Sequence, residues 1–168
     1  LHGLCGCSPD LSDAIVDRAM FHTDNAYYLP NATIAGHRWF QNTASNTAYR
    51  GFGGPQGMML AEQMLDDVAR AVGKDPLLVR QQNLYDNHER NITPYHQTVT
   101  GVDLPRIIDE LVVSSDYWAR RQAITSYNNS ARAQGGRYAR GLALTPVKFG
   151  ISFTAMFLNQ AGALVHIY

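Results

Sequence analysis

The spacing of apolar residues predicts a first helix that starts in the sequence Ser8-Pro9-Asp10 and continues to His22. A serine hydroxyl can cap a helix, proline suits the first turn, and an acid there faces the positive end of the helix dipole. One face of this helix, at a period of 3.6 residues, comprises Leu11, Ala14, Ile15, Arg18, Ala19 and His22. Because Arg18 interrupts an apolar stripe, its side chain is expected either to extend to the surface or to point into a site.

Four further helical regions follow the same logic. A second amphipathic helix is predicted with an apolar face comprising Ala61, Met64, Leu65, Val68, Ala71 and Val72, and Gly73 suits its end. Asp75-Pro76 predicts a new helix that continues toward Asn83. Asp103-Leu104-Pro105 predicts another, and a last helical stretch is expected over residues 116–127.

The remaining segments predict strands and connections. Residues 27–46 are expected to be irregular strand and loop, residues 87–101 a surface connection, and residues 128–137 a polar linker. Apolar runs at 141–146, 151–153 and 163–168 predict buried strands. The pattern as a whole predicts an α+β fold with a domain boundary near Gly101.

Composition narrows the range of functions. Fourteen basic residues balance 14 acidic ones, so the surplus of positive charge that binds phosphate backbones is absent and no nucleic-acid partner is expected. No apolar run approaches the roughly 20 residues that cross a bilayer, so no membrane partner is expected either. The two cysteines, Cys5 and Cys7, are predicted to be free thiols of a cytoplasmic protein. Since the sequence has no initial Met and ends within an apolar run, we expect an internal fragment of a larger protein.

The glycine-rich segment Arg50-Gly51-Phe52-Gly53-Gly54-Pro55-Gln56-Gly57 is the most distinctive local feature. It lacks the Lys-Ser or Lys-Thr pair of a phosphate-binding Walker loop, and Gln56 replaces the third glycine of a dinucleotide-binding fingerprint. A single Arg-Gly-Phe-Gly-Gly also differs from repetitive RNA-binding segments. Two interpretations remain: a loop whose following helix start favours an anionic or oxo-bearing group, or a tight turn that lets backbones pack closely.

Three long stretches of the chain, taken in order, resemble the xanthine dehydrogenase family. They are DRAMFHTDNAY (17–27), SNTAYRGFGGPQG (45–57) and KFGISFT (148–154), the last continuing into FLNQAGA (157–163). The resemblance implies a fragment of the two-part molybdenum-cofactor-binding domain of a molybdenum hydroxylase. Residues 1–101 would be the C-terminal part of the first molybdopterin-binding domain, and residues 102–168 the N-terminal part of the second.

The resemblance also implies the chemistry of the complete protein. Members of this family hydroxylate purines, hypoxanthine to xanthine and xanthine to urate, with water as the oxygen source. The cofactor is molybdenum-molybdopterin, and [2Fe-2S] clusters and FAD pass the electrons to NAD. The implied partners are the purine, an iron–sulfur/FAD subunit or domain, and further copies of the complete unit in a homo-oligomer.

Site residues follow from the same matches. Arg18 matches the arginine that orients the substrate and stabilises negative charge developing on it, because a guanidinium is permanently charged and donates two hydrogen bonds. Arg50 matches a position whose backbone amide contacts the molybdenum centre. Phe52 and Phe153 match two phenylalanines that hold the flat ring between them, and Thr154 matches a neighbouring substrate contact.

The resemblance sets limits as well. The general-base glutamate and two further site residues match no position here, and Glu62, Glu89 and Glu110 receive no catalytic role, so the isolated fragment is expected to be inactive. Aldehyde oxidases tend to replace the arginine at the position of Arg18, so its presence favours a purine. The alternatives are a hydroxylase of aldehydes or of another N-heterocycle, and a non-catalytic scaffold module.

Overall fold

The computed structural model describes residues 1–8, 10–151 and 160–168, and within them the chain is α+β, as predicted. The elements in chain order are β1 (His2–Gly6), α1 (Ser12–Phe21), β2 (His37–Phe40), α2 (Gly54–Val72), α3 (Pro76–Asn83), α4 (Leu104–Ser114) and α5 (Tyr117–Ala133).

The chain forms two compact units. Unit 1 comprises Leu1–Asn25, Ala32–Ala61 and Lys148–Tyr168, and unit 2 comprises Ala26–Asn31 and Glu62–Val147. The predicted boundary near Gly101 concerns domains of a complete protein and stays a prediction.

In unit 1, α1 connects two parallel strands and packs against both. The pairing of β1 with β2 starts at His2 opposite His37 and is interrupted by an irregularity between Leu4 and Gly6. Parallel neighbours need a crossover connection, and α1 lies within it. Val16 and Ala19 of α1 are almost fully buried, as is Cys5 of β1, so these core residues lie where the helix meets β1, whereas all four residues of β2 are exposed.

The predicted start of the first helix was wrong by three residues, since Ser8 was expected as the N-cap and Leu11 occupies that position. The helix begins at Ser12, its N-cap Leu11 supplies no side-chain hydrogen bond, and Ser8 lies outside it. The Ser8 hydroxyl contacts the Ser45 hydroxyl at 2.5 Å instead, and the Ser12 hydroxyl donates to the Asn46 carbonyl at 3.3 Å. Both serines therefore bind the segment before the glycine-rich turn, a tertiary interaction that competes with capping.

In unit 2, one carboxylate organises the start of α3. Asp75 is the N-cap, as predicted, and its Oδ1 accepts a hydrogen bond from the Leu77 backbone N–H at 2.9 Å. The same carboxylate forms an ion pair with Arg121 of α5 at 2.8 Å and accepts a hydrogen bond from the Tyr117 hydroxyl at 3.2 Å. A local cap thus also joins two helices of the unit.

The predicted linker over residues 128–137 was wrong in its first half, because α5 continues to Ala133. The polar residues there occupy an exposed helix surface, and the Asn128 side chain pairs with both backbone groups of Arg140, at 2.8 and 2.9 Å. Gly135, in the left-handed region at φ +70°, follows the C-cap and ends the helix.

The predicted strands near the end of the chain do not form in the described residues. Residues 141–146 and 163–168 have no strand pairing, and Leu164, Val165 and Ile167 are at least 80% exposed. A strand depends on a neighbour for its backbone hydrogen bonds, and no neighbour lies beside these runs in the described chain. The third predicted strand, 151–153, falls largely outside the described residues. Across the helices that are described, none has the length and hydrophobicity to cross a membrane.

Candidate functional site

Arg18 lies on α1 with only 4% of its surface exposed. Its Nη1 donates a hydrogen bond to the Gly150 carbonyl at 2.6 Å, and the guanidinium carbon lies 5.3 Å from the centre of the Phe149 ring. Of the two placements expected from the sequence, the surface one is therefore wrong, and the side chain points into unit 1. Contact with an aromatic face and a carbonyl stabilises a guanidinium that burial would otherwise disfavour.

His22, one helical turn after Arg18, binds the same glycine. Its Nε2 accepts a hydrogen bond from the Gly150 N–H at 3.1 Å, and its Nδ1 contacts the Arg18 carbonyl at 3.0 Å. An Nε2 that accepts carries no proton and an Nδ1 that contacts a carbonyl must carry one, so these contacts require the neutral Nδ1–H tautomer. Burial lowers the pKa of His22, and the nearby Lys148 and Arg18 act in the same direction, which favours this neutral form.

Two further polar residues hold the chain just before Gly150. Asp24, with no exposed surface, forms an ion pair with the Lys148 ammonium group at 2.8 Å. The Asn25 side-chain oxygen accepts a hydrogen bond from the Lys148 backbone N–H at 3.2 Å. Four side chains from residues 18–25 therefore bind the three consecutive residues 148–150.

Two of the predicted substrate contacts follow residues 148–150 in the sequence. Phe153 and Thr154 lie outside the described residues, so their roles stay predictions. Arg18, Arg50 and Phe52 all belong to unit 1.

The glycine-rich segment forms a tight turn that leads into α2. The Phe52 N–H donates to the Tyr49 carbonyl at 2.8 Å, and the Gly54 N–H donates to the Gly51 carbonyl at 2.9 Å. Neither bond uses the N–H of Arg50, which is exposed. Phe52 adopts a left-handed φ of +50°, a conformation uncommon for an aromatic residue and found where the surroundings impose it.

The glycines of this segment allow α2 to start against the backbone of α1. A Cβ at Gly53 would lie 2.0 Å from the Ile15 carbonyl oxygen, and one at Gly57 would lie 2.1 Å from that of Ala19. Close packing of backbones, one of the two interpretations of the segment, is therefore confirmed. The contact joins the start of α2 to residues on both sides of Arg18.

The sequence analysis missed His22, Asp24, Asn25 and Lys148 as members of this cluster. A signal was present, because His22 shares the apolar face of α1 with Arg18, and polar residues on such a face need partners once they are buried. Their partners lie more than 120 residues away, which no local pattern reveals. Within the described part of the chain, no group of three or more His, Cys, Asp or Glu side chains is arranged to hold a metal ion.

The chain is similar to a known protein family and to several proteins of known name. The family described as the molybdopterin cofactor-binding domain matches residues 1–84. Xanthine dehydrogenase/oxidase from Gallus gallus is 50% identical over 163 residues, and xanthine dehydrogenase from Dictyostelium discoideum is 41% identical over all 168. These matches cover 97% and 100% of this chain but 12% of each relative, so the chain spans about an eighth of their length.

Solved structures show the same fold. The aldehyde oxidoreductase from Desulfovibrio gigas matches with a TM-score of 0.59 and 26% identity, over 79% of this chain and 14% of that one. The aldehyde oxidoreductase from Desulfovibrio desulfuricans matches with a TM-score of 0.64 and 22% identity, over 76% of this chain and 14% of that one.

Proposed function

Because the chain belongs to the molybdopterin cofactor-binding domain family, we propose that it forms part of a molybdenum hydroxylase whose substrates are purines. The observation that carries this proposal is Arg18, a buried guanidinium held by Gly150 and Phe149. The two relatives described above, at 50% and 41% identity, are named for xanthine, which supports a purine over an aldehyde.

Arg18 is proposed to orient the purine and to stabilise the negative charge that develops on its carbonyl oxygen. Preorganised donors are most effective where water is excluded, and Arg18 is 4% exposed. Its Nη1 is engaged by Gly150, so the guanidinium is already fixed in direction before a substrate arrives. A group held in this way loses little conformational entropy when it binds a second acceptor.

Phe52 is proposed to cover one face of the flat substrate, and Phe153 the other, with Thr154 beside them. Phe52 suits this role because it lies on a tight turn, is partly exposed, and has a backbone fixed in the left-handed region. An aromatic ring held at a rigid position orients a planar heterocycle and leaves the edges of that heterocycle free for polar contacts.

The turn also fits the cofactor that the family implies. The N–H of Arg50, an exposed residue, takes part in neither hydrogen bond of the turn, and the start of α2 adds the positive end of a helix dipole. We therefore propose that the Arg50 amide contacts the molybdenum–molybdopterin group. When bound, that group supplies the oxidation chemistry, and in the complete protein iron–sulfur clusters and FAD would carry the electrons to NAD.

The setting of the complete protein is proposed on the same basis: a cytoplasmic homo-oligomer of complete units, each with an iron–sulfur/FAD subunit or domain. The chain alone is expected to form no urate, since the general-base glutamate of the family matches no position here.

Replacement of Arg18 with methionine in the complete protein tests the function. Methionine keeps an unbranched apolar stem that reaches about as far as the arginine Nε, but it loses the guanidinium charge and its hydrogen bonds. Loss of a charged hydrogen bond in the transition state is worth about 1.5–3 kcal/mol, so kcat/KM for xanthine is expected to fall roughly 10- to 100-fold. An aromatic aldehyde has no second carbonyl oxygen for the guanidinium to bind, so its turnover is expected to change less than about threefold.

The matched control is Arg70→Met, since the Arg70 side chain is 64% exposed and, within the described part of the chain, forms its ion pair with its helical neighbour Asp67. It is expected to leave both activities and the molybdenum content unchanged. Equal losses with both substrates in the Arg18 variant, at full molybdenum content, would contradict a purine-specific role.

A further inference from the structure

Arg18, His22 and Gly150 form a closed cycle of contacts. The Arg18 guanidinium donates to the Gly150 carbonyl, the Gly150 N–H donates to His22 Nε2, and His22 Nδ1 donates to the Arg18 carbonyl. The three distances are 2.6, 3.1 and 3.0 Å. His22 thus links the main chain of Arg18 to the residue that binds the Arg18 side chain.

We propose that His22 is a positioning residue: by holding Gly150 it fixes the direction in which the Arg18 guanidinium faces the substrate. The inference rests on the proposed function of Arg18 and extends it to His22, which would act through Gly150 and Arg18. A network of side-chain hydrogen bonds in a buried site fixes its members more tightly than separate pairs do.

The chemistry of the cycle explains why an imidazole suits this position. It requires a donor toward the Arg18 carbonyl and an acceptor toward the Gly150 N–H, and a neutral imidazole supplies one of each on a rigid ring. The ring is held in place, because it packs against Phe149 at 4.9 Å between centres and His22 is 6% exposed. A protonated ring would turn Nε2 into a donor that faces the donor of Gly150.

The charged groups around His22 are Lys148, Arg18 and Asp24. Both cations act against protonation of the ring, and the carboxylate of Asp24 is paired with Lys148 at 2.8 Å. The neighbours that hold residues 148–150 in place therefore also favour the neutral ring that the cycle needs.

A double-mutant cycle in the complete protein tests the proposal. His22→Leu removes both hydrogen bonds and keeps an apolar side chain, whereas His22→Gln keeps an acceptor for the Gly150 N–H. We expect His22→Leu to lower kcat/KM for xanthine about tenfold, with little change for an aromatic aldehyde, and His22→Gln to recover most of that loss. In the Arg18→Met background, His22→Leu is expected to lower xanthine turnover less than about twofold further, because residues that act as a unit are not additive.

Two measurements that do not depend on turnover accompany the kinetics. Hydrogen exchange at the Gly150 amide is expected to accelerate about tenfold or more in His22→Leu and to change little in His22→Gln. The dissociation constant for the product urate is expected to rise several-fold in His22→Leu alone. The exposed His88 supplies a control, since His88→Leu is expected to change none of these quantities.

The outcomes separate the two proposals. If Arg18→Met lowers xanthine turnover and His22→Leu does not, the positioning role of His22 is wrong while the proposed function stands. Full additivity of the two substitutions, or equal losses for xanthine and aldehyde in His22→Leu, would show that His22 acts on the fold alone. Should Arg18→Met leave xanthine turnover intact, the proposed function itself fails. If His22→Leu does not fold, the proposal requires near-normal turnover and a protected Gly150 amide in His22→Gln, and loss of either refutes it.

Discussion

A methyl group added at Gly57 is the sharpest perturbation of the contact between α1 and α2. The new Cβ would lie 2.1 Å from the Ala19 carbonyl oxygen and 3.0 Å from the carbonyl carbons of Ala19 and His22. All three are backbone atoms of α1 or of its C-cap, so no side-chain rotation relieves the clash. The contact falls more than 1 Å short of ordinary van der Waals distance, and one helix must move by about that much.

The expected cost of Gly57→Ala is about 3 kcal/mol, at the upper end of the range for overpacked positions because only backbone can yield. Ala19 directly follows Arg18, and Gly57 follows the turn that carries Arg50 and Phe52. A displacement of about 1 Å in a site of this kind can lower turnover about 100-fold. We therefore expect a comparable loss of kcat/KM for xanthine.

Hydrogen exchange over α1 and the start of α2 in the complete protein measures the first effect, and steady-state kinetics with the molybdenum content measure the second. Gly141→Ala is the matched control, because its Cβ would meet nothing within 4 Å and its φ is not left-handed. Gly73→Ala separates backbone strain from crowding, since Gly73 has φ +64° in open space. It is expected to cost about 1 kcal/mol and to leave turnover unchanged.

Normal exchange over α1 together with normal turnover in Gly57→Ala would refute this reasoning. Such a result would mean that the backbones of α1 and α2 do not approach as closely as described. Gly57, unlike Gly73, has no left-handed φ, so crowding alone has to account for its effect. A loss no larger than that of Gly73→Ala would mean that the clash is relieved at little cost, and the crowding argument would fail.

Three further predictions concern stability. Arg80, whose side chain is 3% exposed, pairs with the Glu62 carboxylate at 2.6 Å. Arg80→Leu is therefore expected to lower the free energy of unfolding by about 3 kcal/mol, measured by hydrogen exchange over α2 and α3, whereas Arg70→Leu is expected to lower it by less than about 0.5 kcal/mol. Equal costs for the two variants would contradict this prediction. Asp75→Ala, which removes the cap of α3, is expected to cost about 1–2 kcal/mol in the same measurement, and full protection of α3 would count against it. Burial lowers the pKa of His22 below 6.5, so as the pH falls the unfolded state takes up this proton before the folded state does. The free energy of unfolding is therefore expected to decrease below about pH 6.5, and to decrease less in His22→Gln. Identical pH dependence in both proteins would be the contrary result.

Local signals predicted the middle of the chain well. Gly73 ends α2 and Asp75-Pro76 starts α3, because both signals act within one helical turn of the residues that carry them. The apolar face of α1 also pointed to Arg18 as an unusual residue, and its burial confirmed that it does not extend to the surface.

Features that depend on distant partners could not be predicted from local patterns. Ser8 resembles a helix cap but binds Ser45 instead, 37 residues away. The Gly150 amide is bound by His22 across 128 residues, and no periodicity encodes such a pair. The apolar run at 163–168 has the composition of a strand, yet pairing also needs a neighbour that the run itself does not specify. Phe52 adopts a positive φ that the sequence would assign to a glycine.

The central claim is that a single flat purine is held by Arg18 and by aromatic rings that lie far apart in the sequence. A crystal structure of the complete protein with a bound purine tests this claim most directly. We predict hydrogen bonds of about 2.7–3.1 Å from the Arg18 guanidinium to a purine carbonyl oxygen, with the Phe52 ring within about 4.5–7 Å of the heterocycle. A purine bound elsewhere, with neither Arg18 nor Phe52 in contact, would contradict the account.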